Sequence, residues 1–370
     1  MIISNALTAP YDIVGVAELW GETYVLTKGG LYRLTGASYA DPSAGSLSLC
    51  FAHSGADEPA AFGSWGGSLW YATKATITTH FRIFRLDRDS ATDASSFTVT
   101  TVYTDAAATV GMNGCVGFAL LCGLPCFLGQ IEDGGGRSSR LYFLQTNDTW
   151  VVHFSVTNAD EYPDEIRKWL AGDERALALW VKAASVTYAG LHVVGMKGYF
   201  HALAIAYDDC QLAHDGECFA YASERTSDSK HLLGILSDAR MTGGSTIATN
   251  ESLLNTQTQL LSFIGETIDD MELALGCRYG SRFYFGARVN YDPGSGSIDS
   301  YGLLSLAKGG YQEESVFDAS APFYKPWAVV EIEGRDWLAL LDDLDATKLY
   351  FLLDTGAEAV TAADHYSYRP

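Results

Sequence analysis

One unit recurs along this chain and limits what it can fold into. A glycine-containing turn is followed about three residues later by an aromatic, then an apolar strand, a polar turn and a returning strand. The copies are anchored at Gly21 (with Tyr24, returning at Leu31–Leu34), Gly67 (Trp70, returning at Phe81–Leu86) and Gly123 (Phe127, returning at Leu141–Leu144). Three more are anchored at Gly198 (Phe200, returning at Cys218–Tyr221), Gly280 (Phe283, returning at Tyr301–Leu304) and Gly334 (Trp337, returning at Leu349–Leu352). Glycine supplies the positive φ of a tight hairpin turn. The aromatic suits a pleated, half-buried face.

Each copy has an apolar segment upstream, such as Ile13–Glu18 or Trp327–Ile332, and several have a further strand downstream, such as Phe97–Tyr103 or Trp150–Val156. That makes about four strands per unit. The anchor glycines are 46, 56, 75, 82 and 54 residues apart. Four-stranded units at this period are the sequence sign of a β-propeller. The expected fold is all-β, a six-bladed propeller with five or seven blades as alternatives. It is expected to be a single domain over 1–370, with insertions at about 157–190 and 224–263. Helical spacing is confined to two stretches, Pro163–Lys182 and Glu251–Phe263, which predict short helical insertions in the long gaps.

Composition narrows the function. The chain has 370 residues with 24 Lys+Arg against 45 Asp+Glu, a formal charge of −21. Hydrophobic residues make up 48%, enough for a sizeable core. The acidic balance and the lack of any basic run argue against recognition of a nucleic-acid backbone, which needs clustered cations. The first residues show no secretory signal pattern. Ala106–Gln130 is uncharged and long enough to span a bilayer. Its glycines, Asn113, Pro125 and acidic flanks predict two buried strands with a turn instead, so no membrane span is expected.

Seven cysteines at irregular spacing (Cys50, Cys115, Cys122, Cys126, Cys210, Cys218 and Cys277) do not form a disulfide framework. Cys115, Cys122 and Cys126 lack the paired knuckles of a zinc site and read as small buried apolar residues. Cys210 and Cys218 flank a turn, which leaves a hairpin disulfide open.

No catalytic signature stands out. There is no G-x-S-x-G elbow and no H-E-x-x-H. His201, alternating with Leu203 and Ile205, reads as a strand residue. Acidic pairs occur at Asp208-Asp209 and Asp269-Asp270, and a cluster at Asp342, Asp343 and Asp345. The last could offer oxygens to Ca²⁺ but lacks the glycine and distal glutamate of an EF-hand loop, and aspartate also simply favours turns. Asp133-Gly-Gly-Gly-Arg137 lies between strands and reads as a hairpin tip, not a phosphate loop. The sequence therefore assigns no catalytic, cofactor-binding or metal-ligating residue, and no cofactor.

The segment Glu18-Leu-Trp-Gly-Glu-Thr-Tyr-Val-Leu-Thr-Lys-Gly-Gly-Leu-Tyr-Arg-Leu-Thr-Gly36 resembles phrases in the propeller-bearing, nozzle-like tail proteins of tailed bacteriophages. The resemblance covers about one blade and carries no functional residue with it. It implies a ring-forming structural subunit of a virion, assembled in the host cytoplasm, whose partners are other virion proteins and copies of itself. Two other readings stand beside it. One is a central-pore hydrolase or carbohydrate-binding propeller, Ca²⁺-dependent in one version. The other is a host protein-interaction scaffold.

Overall fold

The computed structural model describes residues 2–354 apart from 54–57, 74–79, 91, 106–109, 122, 134–135, 147, 159–164, 171–175, 183–189, 196–197, 204–206, 215–217, 226–229, 238–253, 256–267, 308–309 and 314–317. Two short strands come first, β1 (Ile2–Ile3) and β2 (Leu7–Thr8). Blade 1 follows as β3 (Ile13–Leu19), β4 (Glu22–Thr27), β5 (Gly30–Thr35) and β6 (Ser46–Ala52). Blade 2 is β7 (Pro59–Trp65), β8 (Ser68–Thr73), β9 (Phe81–Ser90) and β10 (Asp93–Asp105). Blade 3 is β11 (Val110–Leu121), β12 (Leu124–Asp133), β13 (Gly136–Leu144) and β14 (Trp150–Asn158). Blade 4 is β15 (Glu165–Leu170), β16 (Ala176–Lys182), β17 (Gly190–Gly195) and β18 (Gly198–Leu203). Blade 5 is β19 (Tyr207–His214), β20 (Cys218–Arg225), β21 (Lys230–Ser237) and β22 (Leu254–Asn255). Blade 6 is β23 (Ile268–Tyr279), β24 (Arg282–Tyr291), β25 (Ile298–Ala307) and β26 (Gly310–Glu313). Blade 7 is β27 (Tyr324–Ile332), β28 (Arg335–Asp342) and β29 (Lys348–Leu353).

Among the described residues these strands form seven antiparallel sheets, each a meander in chain order. The fold is a β-propeller, as the repeat implies, with the larger of the blade counts the sequence left open. The ring is closed by the start of the chain: β1 and β2 both pair with β29, so blade 7 takes its outermost strand from residues 2–8. The first strand of each blade is innermost, and neighbouring innermost strands touch around the whole ring.

The second strand of a blade is buried on both faces, because each blade is sandwiched between two others. That is why β4, β8 and β28 read as continuous buried runs rather than alternating ones. The core lies between blades. One cluster joins blades 7 and 1 through Leu7, Val16, Val25, Trp337 and Phe351. Another joins blades 1 and 2 through Tyr24, Leu26, Phe62, Tyr71 and Phe84, and a third joins blades 2 and 3 through Trp70, Phe81, Phe127, Tyr142 and Trp150. A fourth joins blades 6 and 7 through Tyr284, Leu303, Leu338 and Leu352. Each fully buried large apolar side chain contributes about 1.5–3 kcal/mol by leaving water.

The anchor glycines behave as turn glycines. Trp20-Gly21, Gly66-Gly67 and Glu333-Gly334 all have positive φ at both positions (54° and 77°, 61° and 79°, 50° and 81°), as two-residue type I′ hairpins require. They join the first and second strands of blades 1, 2 and 7. Gly198 is different. It opens the fourth strand of blade 4, opposite Gly195 at the end of the third. The copy assigned to it ran from the end of blade 4 into β20 of blade 5, which merged two blades and gave six instead of seven. In the sequence, Gly172 and Gly216 lie between the first and second strands of blades 4 and 5.

The helix expected over Pro163–Lys182 is corrected: Glu165–Leu170 and Ala176–Lys182 are paired antiparallel strands. The i, i+3, i+4 spacing of Ile166, Trp169 and Leu170 arose from a bulged strand with apolar residues on both faces. Of the second stretch, Leu254–Asn255 is strand β22 and the remainder lies outside the described residues. The uncharged stretch around residues 110–130 is the β11–β12 hairpin. Among the described residues no helix is long and apolar enough to cross a membrane. Cys126 and Cys277 carry free thiols, and Cys50 does as well. In the β19–β20 hairpin, Cys210 stands opposite Ser223, five residues from Cys218 along β20. At about 3.4 Å per residue that separation exceeds disulfide reach.

Candidate functional site

The innermost strands line the central channel, and every one of them carries a β-bulge against its own second strand. The register skips Val14 in β3, Ala60 in β7, Val116 in β11, Asp208 in β19 and Trp327 in β27. It gains one residue between Glu165 and Lys168 in β15, and one between Leu273 and Gly276 in β23. A bulge bends its strand and re-aims the residues beside it. In blades 1, 2, 3, 4 and 7 the residue past the bulge meets the fifth residue of the second strand, which sets a tier around the channel.

β11 and β23 carry a further bulge nearer their starts, before Gly114 and Asp270. The first paired residue past the bulges named above separates the blades into two classes. It is Gly15 in blade 1, Ala61 in blade 2, Gly117 in blade 3, Gly276 in blade 6 and Ala328 in blade 7. Small residues fit there because neighbouring strands converge. A Cβ on Gly15 would lie 3.1 Å from both Phe62 Cβ and the Trp327 indole. Gly63, two residues beyond Ala61, is tighter still, because a Cβ there would lie 2.0 Å from the Phe118 ring of blade 3.

Blades 4 and 5 break the rule with Lys168 and Asp209. Lys168 pairs with the fifth residue of β16, the same rung that Gly15, Ala61, Gly117 and Ala328 occupy in their blades. Asp209 pairs with Glu224, the seventh residue of β20, two rungs nearer the start of its strand. The two strands β15 and β19 are neighbours. Two rungs amount to about 7 Å along the strands.

Charge is concentrated on this side of the channel. Strands β15, β19 and β23 contain Glu165, Arg167, Lys168, Asp208, Asp209, Asp269, Asp270, Glu272 and Arg278. Strands β3, β7, β11 and β27 contain only Glu18, Lys325 and Glu331. There Glu18 is used internally, its Oε2 accepting the Glu331 N–H of blade 7 at 3.2 Å. The structure thus brings the two acidic pairs, Asp208-Asp209 and Asp269-Asp270, to the starts of adjacent innermost strands. The sequence reading noticed the pairs but not this placement. The signal that locates it is Lys168 at the Gly/Ala rung and Asp209 past the neighbouring bulge, visible only once the blades are aligned.

The third acidic group lies elsewhere. Asp342, Asp343 and Asp345 sit at the β28–β29 turn, and each is engaged locally. Asp342 Oδ1 accepts the Leu344 N–H at 3.0 Å, and burial pushes its carboxyl above the usual range. Asp343 pairs with Lys325. Asp345 accepts from the N–H of Thr347 at 3.1 Å and from its hydroxyl at 2.6 Å, which lowers its pKa. The cluster is turn chemistry. Among the described residues no group of three or more His, Cys, Asp or Glu converges as a metal site. His201 pairs with Val193 inside blade 4, a strand position as read.

A second feature marks the face bearing the first-to-second-strand turns. Trp20 sits at φ 54°, where non-glycine residues are rare, and is 56% exposed. Its ring lies beside Gly67 of blade 2, with the Arg88 guanidinium 5.0 Å from the ring centroid. On the same face Trp65 Nε1 donates to the Gly123 carbonyl at 2.6 Å, linking blades 2 and 3, and the Tyr39 N–H donates to Glu333 Oε2 at 3.0 Å, linking blades 1 and 7.

No family model matches the chain, and no curated protein matches it. Solved structures do. The extracellular domain of the one-component system BT4673 from B. thetaiotaomicron superposes with a TM-score of 0.50 at 10% identity, covering 94% of this chain and 39% of that one. The S. cerevisiae core factor gives a TM-score of 0.50 at 9% identity, covering 99% and 63%. The β-propeller domain of the Trilobed protease from Pyrococcus furiosus gives 0.45 at 6% identity, covering 96% and 95%. The chain spans well under half of the first of these and under two thirds of the second. At such identities the likeness concerns the fold alone. These findings overturn the resemblance to phage tail proteins: the two neighbours at a TM-score of 0.50 are a bacterial and a yeast chain, and no sequence relative supports a tail protein. The Gly36-ending phrase resembled tail proteins because it is a generic propeller hairpin: strand, Gly-Gly turn, strand.

Proposed function

We propose that this protein is a ligand-binding β-propeller whose site is the channel wall formed by blades 4 to 6, and that the ligand is a polar, hydroxyl-rich small molecule such as a saccharide. The observation that carries this reading is Lys168 standing at the channel's Gly/Ala rung in blade 4, with Asp209 past the bulge of the neighbouring innermost strand. Small polar ligands bind in concave sites where a few placed polar groups fix orientation. An amine and a carboxylate carried on neighbouring innermost strands can supply the donors and acceptors that a neutral polyol needs. They sit where blades converge on a common axis. A hydrolytic version of the site would draw on the carboxylates of β19 and β23, since glycoside hydrolysis uses paired Asp or Glu.

A thermal-shift panel of mono- and oligosaccharides, with Ca²⁺ and with EDTA, tests the reading. A sugar that raises the melting temperature of the wild-type chain but not of Asp209→Ala or Lys168→Ala supports it. A panel without any response, or a response unchanged in both variants, overturns it.

Trp20 favours a second reading, a protein-interaction scaffold. Backbone strain of about 1–2 kcal/mol at an exposed tryptophan suits a docking anchor. Trp20→Gly would then abolish capture of a partner while leaving the saccharide response intact.

A further inference from the structure

The outer strand of blade 2 is the longest blade edge among the described residues; those of blades 1 and 3, β6 and β14, are likewise free of Asp, Glu, Lys, Arg and Pro but shorter. β10 spans Asp93–Asp105, thirteen residues, against seven in β6, nine in β14 and four in β26. Between its terminal aspartates, Ala94–Thr104 carries no charge in a chain of net −21. The strand pairs with β9 on one side only. Exposed edge strands offer unpaired N–H and C=O groups to another strand, and proteins normally blunt them with charge, proline or bulges. β10 has neither charge nor proline over this span. Its bulges fall between Asp93 and Phe97 and between Thr101 and Tyr103. Phe97–Thr101 between them is a regular five-residue edge, with Thr98, Thr100 and Thr101 exposed and Phe97 and Val99 partly buried against the blade 1–2 core.

We propose that this edge is a self-association surface that takes β10 of a second copy of the chain, antiparallel about a twofold axis at Val99. Charge argues for a second copy. Two molecules of −21 repel each other over most of their surfaces, and this edge brings uncharged strand against uncharged strand. The sequence is also self-complementary. Antiparallel pairing about Val99 sets Thr98 opposite the other copy's Thr100, and threonine pairs are favourable across strands. Two four-stranded blades would become one eight-stranded sheet. A C2 interface of this kind is closed, so association stops at the dimer.

Sedimentation velocity of the full chain over a range of concentrations tests this. The wild type should sediment as a dimer of two 40.0 kDa chains. Thr98→Lys combined with Thr100→Lys places like charges opposite each other twice and should weaken the dimer about tenfold or more. The matching double Glu variant should do the same, and mixing the two variants should restore a dimer. Hydrogen exchange on the wild type needs no variant: amide protection at Phe97–Thr101 should rise with concentration. A wild-type monomer at every concentration overturns the proposal. So does a dimer indifferent to both variants whose Phe97–Thr101 amides stay unprotected, and so does occupation of this edge by a different protein.

Discussion

Tyr142 donates its hydroxyl hydrogen to Asp105 Oδ2 at 2.7 Å, joining the third strand of blade 3 to the last residue of blade 2's outer strand. Arg140 Nη1 reaches the same oxygen at 2.9 Å, and the Tyr142 ring stacks on Phe81 with centroids 4.2 Å apart. Asp105 is 6% exposed, and a cation and a hydroxyl meet its carboxylate there, which offsets the cost of burying the charge. Asp105→Ala leaves a largely buried guanidinium without that compensation. The expected loss is about 3 kcal/mol of unfolding free energy, read from the urea midpoint. Tyr142→Phe keeps the ring stack and should lose about 1 kcal/mol.

Alkali should loosen the ring from several sides together. Burial pushes the Tyr24 and Tyr324 hydroxyls up to about 12, and raises Tyr142 through burial and the nearby Asp105 charge. In the unfolded chain tyrosine ionises near pH 10. A folded-state pKa above the unfolded one means that the native state holds its proton more tightly. Its stabilising contribution is therefore whole below about pH 10 and is lost as pH rises from there through about 12. Unfolding followed by near-ultraviolet absorbance between pH 9 and 12 should show stability falling in that window. Tyr24→Phe should reduce the slope, since its hydroxyl donates to the Ala94 carbonyl of blade 2 only while protonated.

Gly63 tests how tightly the innermost strands converge. With a Cβ only 2.0 Å from the Phe118 ring, Gly63→Ala should cost about 1–3 kcal/mol. Adding Phe118→Leu should recover part of that loss. Additive losses in the double variant would contradict the contact.

Ring closure rests on a few residues. Leu7 on β2 is 6% exposed within the blade 7–1 core, whereas Ile2 on β1 is 54% exposed. Leu7→Ala should cost about 2–4 kcal/mol and Ile2→Ala about 0.5 kcal/mol or less. Similar effects at both positions would mean that β1 and β2 do not close the ring as described.

The hairpins were legible because their signals are local. Gly21, Gly67 and Gly334 have the positive φ that the repeat demanded, and Tyr24, Trp70 and Trp337 are buried as the aromatic positions implied. The blade count was not. Blades 4 and 5 carry Ala178 and Ala220 at the third residue of the second strand, where Tyr24, Trp70 and Trp337 stand in blades 1, 2 and 7, so the repeat's aromatic mark is missing there and the Gly198-Tyr-Phe phrase imitates it. The helix over residues 163–182 failed because a β-bulge adds one residue to a two-residue period and imitates helical spacing over a short run. The channel site could not be read from linear sequence at all. Lys168 and Asp209 are ordinary strand residues until β15 is superposed on the innermost strands that carry Gly15, Ala61 and Gly117 at that tier and β19 is set beside it.

Carbodiimide cross-linking of the native chain, followed by peptide mass spectrometry, examines that placement most directly, because it joins amines to carboxylates without a spacer. The seven-bladed ring predicts a link from Lys168 to Asp209 or Asp208, between neighbouring innermost strands 41 residues apart in sequence. A Lys168 that links instead to carboxylates of blades 1, 2 or 7, or only to acids on the outer rim, would contradict both the blade order and the channel site built on it.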